Sequence, residues 1–166
     1  ITEAEAYICE EDLGCHAHAG KTKRNAVMYA PPGHAYVYFT YGMHWMLNFI
    51  TERAEFPAAV LIRSITPEEG GVTMHRLRPR DPLCNGPAKL CQALAIDRAL
   101  NGEDLITSAE LFVERCPPIP DARVALTPRI GIHNSDPVAR ERLWRFVVRD
   151  EVRDSKYQSP RVKRRT

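Results

Sequence analysis

Hydrophobic and polar residues alternate at the start of the chain, and this period of two predicts a β-strand over residues 1–8. One side of the strand carries small and apolar side chains, whereas the other carries Glu3, Glu5 and Tyr7. The acid at position 5 and the phenol at position 7 therefore project side by side. This pairing suits a hydrolytic site for a flat substrate, although an edge strand with a solvent-exposed acid has the same spacing.

A second alternating region follows Pro31-Pro32-Gly33, a sequence that stops a helix and starts a strand. Residues 34–40 and 44–50 are both rich in aromatic and β-branched side chains, and Tyr41-Gly42 interrupts them. Two such runs joined by a short glycine-containing turn predict a β-hairpin. The hydroxyl-bearing face of its first strand comprises Tyr36, Tyr38 and Thr40.

The rest of the chain combines strands with short helices. Gly86-Pro87 is typical of a helix start, and the apolar residues that follow recur with the helical period. Strands come first, helices next and strands again, an order that predicts the α+β class. The predicted strands are residues 58–64, 111–115, 124–132 and 144–148, and the predicted helices run from after Pro67 to about residue 75 and over 88–96.

Length and net charge exclude few classes of protein. The 166 residues fit one domain, which we expect to span 1–166 with a flexible basic tail over roughly 156–166. Because the first predicted strand begins at once, we expect the natural protein to extend further on that side. The net charge of +2 says little about partners, and each basic cluster has the composition of a solvated surface as well as of a phosphate-binding patch. These clusters are Lys21, Lys23 and Arg24; Arg76, Arg78 and Arg80; Arg140, Arg142 and Arg145; and Arg161, Lys163, Arg164 and Arg165.

The five cysteines are an odd number, which favours reduced thiols in an intracellular protein, in cytoplasm or nucleoid if bacterial and in the nucleus if eukaryotic. The group of Cys9, Cys15, His16 and His18 raises the hypothesis of a zinc site. The spacing between the two cysteines is wider than in zinc fingers, so metal binding is the less favoured interpretation. The sequence contains neither a P-loop nor a G-x-S-x-G motif.

The tyrosine at the predicted hairpin turn, Tyr41, invites a functional interpretation. An aromatic ring at the tip of a hairpin has little reason to be exposed unless it binds something. Side chains of this kind are inserted between base pairs by proteins that kink DNA from the minor groove. A turn tyrosine that folds back onto the core is the alternative.

Several of these segments occur together, in order, in one known family. The matching stretches are Glu3-Ala-Glu-Ala-Tyr7, Glu11-Asp12 leading to His16, Tyr36-Val-Tyr38-x-x-Tyr41-Gly-Met43, Asn48, Val60-Leu-Ile-Arg63, Gly86-Pro-Ala-Lys-Leu-Cys-Gln-Ala-Leu-Ala-Ile96 and Arg129-Ile-Gly-Ile132. They span nearly the whole chain, which resembles the alkyladenine (3-methyladenine) DNA glycosylases of the animal and bacterial type.

The resemblance implies a role for each matching residue. Glu5 would be the general base, and Arg63 and the backbone around Ile130 would position Glu5 and its water. A flipped base would stack between Tyr7 and His16 on one face and Tyr38 on the other. Asn48 would lie near the edge that distinguishes guanine, Tyr41 would fill the gap in the duplex, and Met43 and His44 would contact the minor groove. His44 departs from the animal pattern, which has a phenol at this position.

The resemblance also implies the architecture and the partner. We expect one compact α+β domain on a curved, mainly antiparallel sheet with peripheral helices and a protruding hairpin. It would act as a monomer on double-stranded DNA with damaged purines, without a membrane, a metal or an organic cofactor. The expected lesions are of the 3-methyladenine, 7-methylguanine, hypoxanthine and ethenoadenine types.

The implied chemistry is hydrolysis of the N-glycosidic bond by water that Glu5 activates. No lysine is visibly placed to attack the sugar, so a monofunctional enzyme that leaves an abasic site is predicted. Two other functions fit the same features. A DNA-binding module without catalysis would use the aromatic hairpin and the basic patches, and a hydrolase of free nucleosides would use the acid but not Tyr41.

Overall fold

The computed structural model describes residues 1–132 and 136–149, together with the backbone of 161–164. Six strands form one antiparallel sheet: β1 (Glu3–Ile8), β2 (Ala35–Thr40), β3 (His44–Ile50), β4 (Ala58–Ser64), β6 (Val124–Thr127) and β7 (Arg145–Val148). Their spatial order is β2-β3-β4-β1-β7-β6, which places β1 in the interior of the sheet between β4 and β7. Two further strands, β5 (Leu111–Glu114) and β8 (Arg161–Arg164), pair antiparallel with each other.

The helices are short, and one of them packs on a face of the sheet. They are α1 (Gly71–Leu77), α2 (Pro87–Ala93) and α3 (Pro137–Glu141), with 3₁₀ turns at Ala26–Tyr29, Arg98–Leu100 and Asp121–Arg123. In the described part of the chain, none of the helices has the length and apolar character that crossing a membrane requires. Strands and helices thus give the α+β class that the order of the sequence patterns predicts.

One face of the sheet is covered by α2 and forms the larger core. Because side chains alternate between faces, Val37, Leu47 and Ile62 all point to this side from three neighbouring strands. Leu90 and Cys91 of α2 pack against them and are almost fully buried. The helical stripe predicted after Gly86-Pro87 therefore buries its apolar side on the sheet.

The opposite face carries the polar and aromatic residues. The strand register aligns Glu5 with Leu61, Leu61 with Asn48, and Asn48 with Tyr36, so all four project from this face. The predicted face of Tyr36, Tyr38 and Thr40 is the same one. A smaller core, which includes Cys15, Ala17 and Met28, covers part of it and leaves a cleft beside Glu5.

The connection between β2 and β3 is three residues long. Thr40 pairs with His44, and the Met43 N–H donates to the Thr40 carbonyl at 3.2 Å. Tyr41 and Gly42 have φ of 51° and 65°, the signs that a type I′ turn requires. This turn fits the twist of the two strands and leaves 76% of Tyr41 exposed.

Some element bounds differ from the sequence predictions. The strand predicted over 124–132 ends at Thr127, because Pro128 follows and the chain then turns so that Arg129 reaches the interior. Helix α1 begins at Gly71, several residues later than predicted. Of the predicted tail over 156–166, only 161–164 are described, as β8, and the remainder lies outside the described residues.

The helix predicted over 88–96 ends at Ala93. Ala95 adopts a left-handed φ of 52°, and the Ile96 N–H donates to the Cys91 carbonyl at 2.7 Å. The Ala95 N–H donates to the Gln92 carbonyl at 3.2 Å, and the two bonds together form a Schellman motif. The left-handed position of this motif is usually glycine. The missing glycine explains why this helix end left no signal in the sequence.

Replacing Ala95 with glycine should raise the free energy of unfolding by up to about 1.5 kcal/mol. The left-handed conformation costs an L-residue roughly 1–2 kcal/mol, and the greater freedom of glycine in the unfolded chain offsets about 0.4–1 kcal/mol of the gain. Chemical denaturation measures the change. Ala93→Gly, in the helical part of α2, is the matched control and should destabilise the protein instead. A loss of stability in both variants would contradict the expectation.

Candidate active site

Glu5 has no solvent-exposed surface and lies in the middle of the sheet. Its Oε1 accepts a hydrogen bond from the Ile130 N–H at 2.7 Å, and the Arg63 Nε lies 3.3 Å from the same oxygen. Its Oε2 accepts from the Tyr7 hydroxyl at 2.8 Å. Two hydrogen bonds and the positive charge of Arg63, whose Nε–H donates to Glu3, offset the cost of burying the carboxylate.

Arg63 also belongs to a second charged group beside Glu5. Glu3 accepts from the Arg63 Nε at 2.7 Å and from the Arg145 Nε at 2.6 Å. Burial alone would raise the pKa of Glu3, but the hydrogen bonds from Arg145 and Arg63 outweigh it and hold that pKa below the ordinary 4.5. Glu3 thus fixes the orientation of the guanidinium that faces Glu5.

The lowered pKa of Glu3 predicts how stability depends on pH. Since the folded state favours the charged carboxylate, its stabilising contribution is present above the ordinary pKa of 4.5 and is lost as the pH falls through the lower folded value. We expect the free energy of unfolding of Glu3→Gln to fall less steeply below pH 4.5 than that of the unmodified protein. Denaturant titrations over this range measure the slopes, and equal slopes would contradict the role of Glu3.

A cleft of about 300 Å³ opens on the same face of the sheet. Its walls include the rings of Tyr7, His16, Tyr36 and Tyr38. His16 and Tyr38 touch edge to face, with ring centroids 4.3 Å apart. A third ring between them would need roughly 7 Å, two van der Waals contacts in succession. The cleft is open, but a flat ligand can enter between His16 and Tyr38 only if one of the two rings moves.

Burial changes the acidity of the cleft side chains. Burial raises the pKa of Tyr38 to about 12. Burial and the neighbouring charge of Glu5 together raise the pKa of Tyr7 by more than that of Tyr38. Burial and the nearby Arg24 lower the pKa of His16 below 6.5. His16 is consequently neutral near pH 7, with its Nδ1 3.0 Å from the Tyr36 hydroxyl. The cleft thus presents neutral rings with hydroxyl and imidazole edges.

The structure contains a buried ion pair that the sequence did not single out. Arg129 makes two hydrogen bonds to Asp12, at 2.5 and 2.7 Å, and both side chains are fully buried. The Arg129 guanidinium lies 4.6 Å from the Tyr7 ring centroid and 5.1 Å from that of Trp144. It also donates to the backbone of β1 at Ala6 (2.9 Å). Breaking such a pair on one side typically costs about 3–5 kcal/mol.

The remaining residues predicted for the site occupy different positions around it. Asn48 is buried in the cleft wall and donates to the Tyr36 carbonyl at 3.1 Å. Tyr41 lies at the rim, whereas 65% of Met43 is exposed on the turn. The Nδ1 of His44 is buried without a hydrogen-bond partner in the described structure. Glu5, Arg63, Tyr7 and Ile130 converge, and Tyr41 lies on the rim of the same cleft, whereas Met43 projects from the turn.

The hypothesis of a zinc site at Cys9, Cys15, His16 and His18 finds no support in the geometry. Across the residues whose side chains are described, no three His, Cys, Asp or Glu side chains come together as metal ligands would. Instead, His16 faces Tyr36 and His18 lies 2.9 Å from the Glu10 carbonyl. All five cysteines are free thiols.

Comparison with known families bears directly on this arrangement. A family model described as methylpurine-DNA glycosylase (MPG) matches residues 1–152. The chain belongs to the methylpurine-DNA glycosylase family. The match includes β1 with Glu5, both strands around Tyr41, and the segment of Arg129 and Ile130. It covers all the charged residues described above, which are Glu3, Glu5, Asp12, Arg63, Arg129 and Arg145.

Relatives with substantial identity lead to the same family. A protein of Methanocella arvoryzae is 49% identical over 88% of this chain and 74% of its own length. Proteins of Carboxydothermus hydrogenoformans and Rickettsia felis are 43% and 42% identical, over 94% and 92% of this chain and 81% and 78% of their own lengths. All three carry the name "Putative 3-methyladenine DNA glycosylase".

Membership in the methylpurine-DNA glycosylase family confirms the resemblance seen in the sequence motifs. It also agrees with an enzyme of the hydrolase class that acts in repair of alkylated DNA.

Proposed function

We propose that this member of the family removes alkylated or deaminated purines from duplex DNA by hydrolysis, with Glu5 as the general base. The observation that carries the proposal is the setting of Glu5. A carboxylate with no exposed surface accepts hydrogen bonds from Ile130 and Tyr7 and pairs with the charge of Arg63, beside a cleft of about 300 Å³ lined by aromatic rings.

The proposed reaction breaks the bond between the sugar C1′ and the purine nitrogen. The purine leaves with the electron pair, and the sugar acquires oxocarbenium character that a nearby carboxylate stabilises. The water oxygen then bonds to C1′, and its proton passes to Glu5. General base catalysis of this kind contributes about 10²–10⁴-fold to the rate. The product is an abasic site in an uncut strand.

Substrate entry must rearrange two contacts. The base has to separate the rings of His16 and Tyr38, and water has to reach Glu5, whose Oε2 is covered by the Tyr7 hydroxyl. A base that stacks on Tyr7 can do both if the phenol shifts with it. Stacking on aromatic rings provides about 1–3 kcal/mol per base, which offsets part of the cost of taking the nucleotide out of the helix.

Residues at the turn would hold the DNA. Tyr41 is exposed on the turn at the rim of the cleft, a position suited to fill the space of an extruded nucleotide. Met43 and His44 follow it and would contact the minor groove. Asn48 is fixed by its hydrogen bond to the Tyr36 carbonyl, and it would oppose the 2-amino group of an undamaged guanine.

Incubation with a duplex that carries one defined lesion tests the proposal. We expect release of 3-methyladenine, 7-methylguanine or hypoxanthine, followed by strand cleavage only after alkali treatment. Cleavage without alkali would contradict a monofunctional enzyme. Equal rates on duplex and free nucleoside would favour the nucleoside hydrolase, and tight binding without release would favour the non-catalytic binding protein.

A further inference from the structure

The Arg129 guanidinium lies directly behind a ring that the proposed function assigns to base stacking. Its Cζ is 4.6 Å from the centroid of Tyr7. Tyr7 lines the cleft, whereas Arg129 is almost fully buried and does not. The positive charge is therefore on the side of the ring that faces away from the cleft.

We propose that Asp12 determines specificity for charge: it neutralises Arg129 behind Tyr7, so that the cleft accepts cationic alkylated purines as well as neutral bases. The inference rests on the proposed function, because it concerns the base that stacks on Tyr7. Asp12 is a positioning residue in this sense, since it acts through Arg129 and Tyr7.

The distances make the effect large enough to matter. A base on the open face of Tyr7 would lie about 3.5 Å beyond the ring, which places it roughly 8 Å from the Arg129 charge. Purines alkylated at a ring nitrogen carry a positive charge, and an unpaired guanidinium at this separation, buried from solvent, would repel them. A neutral base such as hypoxanthine would be affected far less.

Asp12 is placed to cancel this charge. Its two oxygens accept from both terminal nitrogens of Arg129, at 2.5 and 2.7 Å, so the pair presents a dipole instead of a net charge. The hydrogen bonds and charge of Asp12 raise the pKa of Arg129 despite its burial, so the guanidinium stays ionised. Asp12 must therefore be negative for the wall behind Tyr7 to be neutral.

Other charges near the cleft act differently. His16 is neutral near pH 7 because burial lowers its pKa, so it adds no repulsion. Arg24 lies 5.9 Å from the Tyr38 ring, but its side chain is exposed, so solvent screens its charge more than that of the buried Arg129. Arg63 faces Glu5 and Glu3, which balance it. The buried Asp12–Arg129 pair thus sets the net charge behind the Tyr7 ring.

Arg129 also makes contacts that do not involve Asp12. The side of Tyr7 that faces away from the cleft is therefore neutral because a charged pair lies there, not because charge is absent. Arg129 donates to the Ala6 carbonyl at 2.9 Å and to Ala139 at 3.3 Å, which ties β1 and α3 to the segment before Ile130. The loss of either partner is therefore expected to slow release of every base. A measurement that separates charge from structure has to compare two bases in one reaction.

Competition between two duplexes of the same sequence provides that comparison. One duplex carries 7-methylguanine, which is cationic, and the other carries hypoxanthine, which is neutral. The ratio of their kcat/KM values does not depend on how much of a variant is folded. Relative to the unmodified enzyme, Asp12→Asn should lower the cation-to-neutral ratio roughly tenfold, and Arg129→Gln should raise it.

The double variant Asp12→Asn with Arg129→Gln is the control for charge, because its pair is neutral again and its ratio should return toward that of the unmodified enzyme. Its absolute rates report the structural role separately. A ratio that stays constant in both single variants, with both rates reduced in parallel, would overturn the inference. Release of neither base by the unmodified enzyme would instead overturn the proposed function.

Discussion

Replacing Glu5 with glutamine should lower the single-turnover rate of purine release by about 10²–10⁴-fold. The amide cannot take the proton from water, and its NH₂ group would face either the Ile130 N–H and the Arg63 charge or the Tyr7 hydroxyl. The second effect also costs about 1–3 kcal/mol of stability. The rate is measured with enzyme in excess over a lesion-containing duplex.

Two controls separate chemistry from folding. Glu69→Gln makes the same change at an exposed position and should leave the rate unaltered. Binding of the lesion duplex by Glu5→Gln, measured below its melting temperature, should persist because Glu5 does not line the cleft surface. A folded Glu5→Gln protein that releases purines at the normal rate would show that Glu5 is not the base.

Replacing Tyr41 with asparagine should lower purine release from duplex DNA at least roughly tenfold and affect a single-stranded substrate much less. Asparagine tolerates the left-handed φ of 51° at this position, so the turn between β2 and β3 is retained. What is lost is the ring, whose stacking in the duplex is expected to contribute about 1–3 kcal/mol. Single-turnover rates on matched duplex and single-stranded lesions measure the difference.

Tyr41→Phe keeps the ring and should behave nearly as the unmodified enzyme does. Val72→Ser, which removes another exposed apolar side chain from α1, tests whether any such loss on the surface slows the reaction. If asparagine at position 41 leaves the duplex rate intact, the turn does not act as a wedge. An equal loss on single strands would place Tyr41 in the pocket instead.

The local features of the site were accessible from the sequence. A period of two placed Glu5 beside Tyr7, and the structure joins them by a hydrogen bond of 2.8 Å. The same period placed Tyr36 and Tyr38 on one face of β2, where both line the cleft. The turn at Tyr41-Gly42 followed from its glycine and the flanking apolar runs. Each of these features depends on residues that are close along the chain.

The features that the sequence did not reveal join distant segments. Arg129 and Asp12 are 117 positions apart, and no local pattern indicates that they pair in the interior. The contact between His16 and Tyr38 depends on how a loop folds over the sheet, so the sequence did not predict that these two rings touch. Pro128 could have shortened the predicted last strand, since proline removes a donor from the ladder. Ala95 gave no comparable signal because the left-handed position there lacks glycine.

The N–H that Glu5 accepts belongs to a residue 125 positions later in the chain. During synthesis, β1 therefore leaves the ribosome long before its acid can be held in place. A chain that ended before Ile130 would lack one of the two hydrogen-bond donors to Glu5. The proposed reaction centre is therefore complete only after the segment around Ile130 has been translated.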